Sequence, residues 1–200
     1  MRPVSVIDGV AAPLPRSNVD TDQIIPIPFL QRIERDGYGP FLFFDWAHDD
    51  EGELDPAFVL NQPNYREARI LVTGANFGCG SSREHAAWAL QDRGFEAVLA
   101  PSFGDIFRNN ACNIGLLPIV LPDTAIQEVL AAAERGALLH IDLEAQTIAG
   151  DGLSLAFDID PHSKEKLLNG LDTIGETMEQ AGLIDAYEGA RPSHRPSLAR

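Results

Sequence analysis

Between Ile70 and Gly136 short apolar runs alternate with longer helical stretches, and this alternation constrains the fold more than any other feature of the sequence. Strands are predicted at Ile70–Thr73, Ala97–Ala100 and Leu116–Leu121. A helix follows each one: from about Ser82 to Arg93 closed by Gly94, from a Ser102 cap to about Asn110, and from Asp123 or Thr124 to Gly136. Strands alternating with helices predict a largely parallel sheet flanked by helices. Ahead of this region lie a short strand at Val4–Ile7 and a short helix at Phe29–Ile33, with a solvated acidic loop at Asp45–Asp55. Behind it, Leu138–Leu143, Thr147–Ala149 and Leu153–Ile159 read as consecutive strands, and helices at His162–Leu168 and Thr173–Ala181 close the domain. The fold class is α/β, a single domain over residues 1–188 with an αβ core and a β-rich flank. The Pro/Ser/Arg-rich run from Gly189 to Arg200 is expected to be disordered.

Within this frame, residues 74–85 concentrate the chemistry. Gly74, Gly78 and Gly80 allow positive φ and a close approach of backbone to a ligand. Ser81 followed three residues later by Glu84 has the form of a capping box, which predicts a helix opening at Ser81-Ser82-Arg83-Glu84. A helix N-terminus offers free N–H groups and partial positive charge to an anion. Arg83 adds a planar cation that matches a carboxylate or phosphate bidentately. The expectation is an anion site with a hydroxyl at its mouth. A dinucleotide fingerprint fails because Arg83 stands where the third glycine belongs, a P-loop fails for want of a lysine, and a nucleophile elbow fails for want of G-x-S-x-G. His85 falls one turn from Ser81 and reads as structural, since no third member of a triad can be placed.

Composition narrows the partners. With 30 acidic against 15 basic residues the net charge is −15, which disfavours a nucleic-acid partner. Two cysteines, Cys79 and Cys112, offer no disulfide framework and suit a reducing cytoplasm. They are also too few for a [4Fe–4S] cluster or a zinc site, so a metal used in the reaction is expected from elsewhere. No segment has the length of a membrane span and no apolar signal core opens the chain, so a soluble cytoplasmic protein is expected.

Asn18-Val19-Asp20-Thr21-Asp22-Gln23-Ile24-Ile25-Pro26, Asn76-Phe77-Gly78-Cys79-Gly80-Ser81-Ser82-Arg83-Glu84-His85 and Pro101-Ser102-Phe103-Gly104-Asp105-Ile106-Phe107 closely resemble the small-subunit family of 3-isopropylmalate dehydratases. Phe41-Leu42-Phe43-Phe44-Asp45-Trp46 and Asn169-Gly170-Leu171-Asp172-Thr173-Ile174-Gly175 carry the same resemblance, collinear from about Asn18 to Tyr187. The resemblance implies the detached swivelling β/β/α domain of aconitase-type hydro-lyases. It also implies a large-subunit partner, in a heterodimer or heterotetramer, that carries the [4Fe–4S] cluster. The implied reaction isomerises 2-isopropylmalate, a small dicarboxylate, to 3-isopropylmalate by dehydration and rehydration in leucine biosynthesis. By position, Ser81 is the base that removes a carbon-bound proton, and Arg83, with Ser82, grips a substrate carboxylate. Gly78 and Gly80 shape the anion-stabilising loop, Asp22 matches an active-site aspartate, and Arg32 or Arg35 stands near another substrate arginine. Ile27-Pro28 departs from the family, where many relatives have a basic residue in this pair. Small subunits of homoaconitase-, citraconate- or dimethylmalate-type hydro-lyases are the nearest competing reading, and a non-catalytic anion-binding regulatory module is the second.

Overall fold

The computed structural model describes residues 1–31 and 36–191. In chain order the strands are β1 (Val6–Leu14), β2 (Ile70–Thr73), β3 (Ala97–Ala100), β4 (Leu117–Val120), β5 (Leu138–Asp142), β6 (Thr147–Gly150) and β7 (Leu153–Ala156). The helices are α1 (Thr21–Ile24), α2 (Phe44–Ala47), α3 (His85–Asp92), α4 (Asp105–Ile114), α5 (Asp123–Ala133), α6 (Pro161–Asn169), α7 (Thr173–Glu179) and α8 (Ala181–Gly189). All seven strands share one sheet, ordered β4-β3-β2-β1-β5-β6-β7.

The sheet changes character along β1. Val6–Val10 pair antiparallel with β5, whereas Ala11–Leu14 pair parallel with β2. Beyond β2 the pairing stays parallel through β3 and β4, and beyond β5 it stays antiparallel through β6 and β7. Pro13 has no N–H to give a ladder, and it falls past the last residue paired with β5, where one edge of the strand is released. The sequence predicts only Val4–Ile7 here. Gly9, Ala11, Ala12 and Pro13 carry little strand preference of their own, so partners on both sides make this strand, not its composition. An antiparallel bridge between Val120 and Asp158, just past β7, brings the two ends of the strand order together, and the mixed sheet curls on itself.

Every residue of β2 and β3 is buried, as expected of strands covered on both faces. Alternate side chains enter different cores. Leu71 and Val98 join Phe77, Phe107 and α3 in one cluster, while Ile70, Val72, Ala97 and Leu99 join α5 through Ile126, Val129 and Leu130 in the other. The three βα units thus match the alternation in the sequence, and the site loops leave the parallel half.

The C-terminal helices differ from expectation. The single helix predicted at Thr173–Ala181 is two, broken at Gln180, and the second runs on through Gly189. Residues 192–200 of the tail lie outside the described residues.

Asp160 caps α6 by accepting from the N–H groups of His162 and Ser163 (3.1 and 3.0 Å). Hydrogen bonds from the Ser163 side chain and backbone, and then from His162, hold its carboxyl below the ordinary carboxylate range against the opposing effect of burial. Such a depressed group contributes stability that is complete above its unfolded pKa and is lost as pH falls through the folded one. Asp160→Ala is therefore expected to cost about 1 kcal/mol at neutral pH. In urea melts the gap from the parent should close as pH drops from 7 toward 3, and a gap constant with pH would contradict the cap's ionic character.

Candidate active site

β1 and β2 run parallel, so the chain leaves both at the same end of the sheet, where open α/β sheets place their ligands. The two exits, 15–20 and 74–80, then zip together as an irregular extension of the sheet. Gly74 donates to the Arg16 carbonyl (3.0 Å), Asn18 to Ala75 (2.8 Å), Gly78 to Val19 (2.7 Å) and Thr21 to Cys79 (2.9 Å). Side chains reinforce the seam: Asn76 donates to Asn18 Oδ1 (2.9 Å), and Ser17 Oγ accepts from Ala75 (3.2 Å). Asn18 and Asn76 both have positive φ (57° and 59°), a region that asparagine tolerates better than most side chains. On the far side, the segment after β3 clamps the loop, since Phe77 donates to the Ser102 carbonyl and Gly104 to the Phe77 carbonyl (3.1 and 2.9 Å).

Gly78 has φ +71°, and a Cβ there would meet Phe107 Cγ of α4 at 2.2 Å. Its missing side chain makes room for a core ring rather than for a ligand. Gly80 has φ +94°, lies exposed and turns the chain toward α1. The turn delivers Ser81 Oγ to within 2.8 Å of Thr21 Oγ1, and the Ser81 N–H donates to the same Thr21 oxygen (3.2 Å). Two residues on, the Arg83 guanidinium donates to Asp22 Oδ1. Ser81, Arg83, Asp22 and the exposed Ser82 therefore share one rim, while Arg32 and Arg35 lie outside the described residues.

The predicted helix start is wrong by three residues. α3 begins at His85, and Glu84 precedes it with helical backbone angles and no side-chain cap, so Ser81 and Glu84 form no capping box. Ser81 is drawn instead to Thr21, sixty residues away in sequence. A genuine capping box lies across the rim, where Asp20 accepts from the Gln23 N–H (2.7 Å) and Gln23 Oε1 accepts from the Asp20 N–H (3.0 Å). It fixes α1 and with it both Thr21 and Asp22. Among the described residues nothing accepts from the backbone N–H of Ser82, Arg83 or Glu84.

His85 packs edge-on to Tyr38 (5.4 Å between ring centroids) and against Trp88 (4.7 Å). Burial lowers its pKa, opposed by Glu84 and aided by Arg83, so its packing disfavours the charged form. Phe29 stacks on Phe41 and packs on Phe44 (4.3 and 4.7 Å), and Leu30 also packs on the first core, while Ile27 is 56% exposed beside the rim. Thr21 is the site residue that sequence reasoning missed. Its signal is tertiary: a threonine only 1% exposed, in a segment that draws attention for its carboxylates.

The residues do not fit an iron–sulfur cluster. Cys79 in the rim loop and Cys112 in α4 are both free, and the described residues contain no group of three or more His, Cys, Asp or Glu placed to hold a metal. Nor is any helix among the described residues long and apolar enough to cross a membrane.

A family model for the aconitase C-terminal domain matches residues 1–124, and the LeuD_N model matches residues 127–161. The 3-isopropylmalate dehydratase small subunit of Koribacter versatilis is 53% identical over 193 residues, covering 95% of this chain and 99% of the relative. That of Bacillus licheniformis is 52% identical, covering 96% and 98%. The chain belongs to the 3-isopropylmalate dehydratase small-subunit family. The crystal structure of 3-isopropylmalate dehydratase from Methanocaldococcus jannaschii superposes with a TM-score of 0.66 at 29% identity, covering 92% of this chain and 99% of that one. The curled mixed sheet and its flanking helices are thus the small-subunit fold, and the aconitase C-terminal match spans every residue of the rim.

Proposed function

We propose that this chain is the small subunit of a hydro-lyase that interconverts 2-isopropylmalate and 3-isopropylmalate in leucine biosynthesis, acting with a large subunit in the cytoplasm. The [4Fe–4S] cluster of such an enzyme belongs to the large subunit, in keeping with the two isolated cysteines here. Ser81 is the base. As an alkoxide it takes the carbon-bound proton during dehydration and returns it on rehydration, so the oxygen ends the cycle as it began. The observation that carries these roles is the shared rim, where a hydroxyl and a guanidinium are each anchored on α1. Arg83 has five N–H donors in a fixed fork and spends one on Asp22, leaving others to grip a substrate carboxylate. Asp22 holds that fork in place. Ser82 and the open N–H groups beside it supply further donors to the anion and positive potential near the Ser81 oxygen.

Reconstitution with a cluster-bearing large subunit tests the reading. The complex is expected to turn over 2-isopropylmalate with a kcat/KM at least about tenfold above citraconate or homoaconitate, the scale on which an apolar pocket resolves small alkyl differences. The chain alone is expected to be inactive. Turnover by the isolated chain, or a preference for the tricarboxylate, overturns it.

A further inference from the structure

We infer that Thr21 is a positioning residue for Ser81, holding its oxygen in place and donating a hydrogen bond to it once it is unprotonated. The inference rests on Ser81 acting as the base. Thr21 is 1% exposed, and its backbone is fixed by the bond to Cys79 and by the capping box one residue before it. Its hydroxyl oxygen accepts the Ser81 N–H at 3.2 Å and lies 2.8 Å from Ser81 Oγ. Either hydroxyl can donate while both are protonated. When Ser81 is an alkoxide it has no proton to give, so Thr21 becomes the donor. Among the described residues no other group competes for that proton. The bond is then charge-assisted and, in a threonine shielded from water, strong enough to lower the pKa of the serine. The Ser81 N–H bond to the same oxygen fixes the serine backbone as well, so one side chain sets both the position and the basicity of the Ser81 oxygen. When the substrate proton arrives, the pair returns to two neutral hydroxyls without moving a heavy atom, the preorganisation expected of an effective donor.

The experiment uses the reconstituted complex with 2-isopropylmalate. Thr21→Val keeps the shape and removes the donor. It is expected to lower kcat about 10²-fold with KM within about twofold, the effect of losing one donor to a developing or resident oxyanion. The rising limb of the kcat–pH profile should move to higher pH by about one unit, because an alkoxide without its donor is harder to form. Deuterium at the abstracted position should give a larger isotope effect on kcat than in the parent. Thr21→Ser restores the hydroxyl and is expected to recover kcat to within about fivefold and the parental pH profile. Should Thr21→Val not join the large subunit, Thr21→Cys, a weak donor, must show the same alkaline shift. Unchanged kcat and pH profile in either variant overturn the inference, as does an equal loss in Thr21→Val and Thr21→Ser. Ser81→Ala assayed alongside separates the two readings. Full activity there removes the base and this inference with it, whereas an inactive Ser81→Ala beside an unaltered Thr21→Val overturns Thr21 alone.

Discussion

Ser81→Ala is expected to lower kcat of the reconstituted complex by about 10³-fold, within the range that a positioned base contributes. KM should stay within about twofold, because Arg83, Ser82 and the backbone N–H groups beside them, to which the proposed function gives the anion, are separate from the hydroxyl. Assembly should be unaffected. Ser81 is half-buried on the rim, its hydroxyl is bonded to Thr21, and losing that hydroxyl leaves one threonine oxygen still accepting the residue 81 N–H. The measurement is steady-state turnover of 2-isopropylmalate together with co-elution of the two subunits. A large loss of kcat with intact assembly fits the base and excludes a catalytically silent anion-binding module, whose removal of one hydroxyl would leave turnover untouched. Full activity would mean that the proton is taken by another group, and the rim would then serve binding alone.

The parts of this site that could be read from sequence are those set by local rules. Ile70–Thr73 and Ala97–Ala100 coincide with β2 and β3 because buried parallel strands are continuous apolar runs bounded by turn residues. The rim loop was located because glycine density and Ser81-Ser82-Arg83 are visible in the chain itself. What escaped was every feature settled by a distant partner. β1 is nine residues long because β2 and β5 flank it, although Gly9, Ala11, Ala12 and Pro13 argue for no strand. Ser81 and Glu84 satisfy the pattern of a capping box, yet a threonine hydroxyl sixty positions upstream takes the serine, and the helix waits until His85. The same pattern is real from Asp20 to Gln23, where the sequence gives it no prominence because the helix it caps is four residues long and has no apolar periodicity to announce it. By its type Gly78 reads as a glycine that lets backbone approach a ligand, whereas its neighbour is Phe107. A glycine's sequence context does not say which atom occupies the place of its Cβ.

That neighbour makes Gly78→Ala the substitution with the largest expected effect on the fold. Two costs add. An L-residue at φ +71° costs about 1–2 kcal/mol. A methyl 2.2 Å from Phe107 Cγ must also displace a ring that is 2% exposed and packed on Phe77 and Phe103 (5.3 and 6.1 Å between centroids), an overpacking cost of about 1–3 kcal/mol. The sum is roughly 2–5 kcal/mol, which for a chain of this size lowers Tm by about 10 °C. Because Gly78 lies three residues before Ser81 and its N–H is part of the seam to Val19, the relief of this clash should also shift the rim. A displacement of about 1 Å at the serine can cost a further 10²-fold in kcat. Phe107→Leu separates the two costs. Combined with Gly78→Ala it opens space for the methyl but leaves the positive φ, so the double variant should be more stable than the sum of the singles by about 1–2 kcal/mol while remaining below the parent. Strict additivity would assign the whole cost to the backbone angle. Parental melting in Gly78→Ala would mean that both α4 and the loop backbone can yield, and that Ser81 is positioned by Thr21 and the seam without the ring of Phe107 behind it.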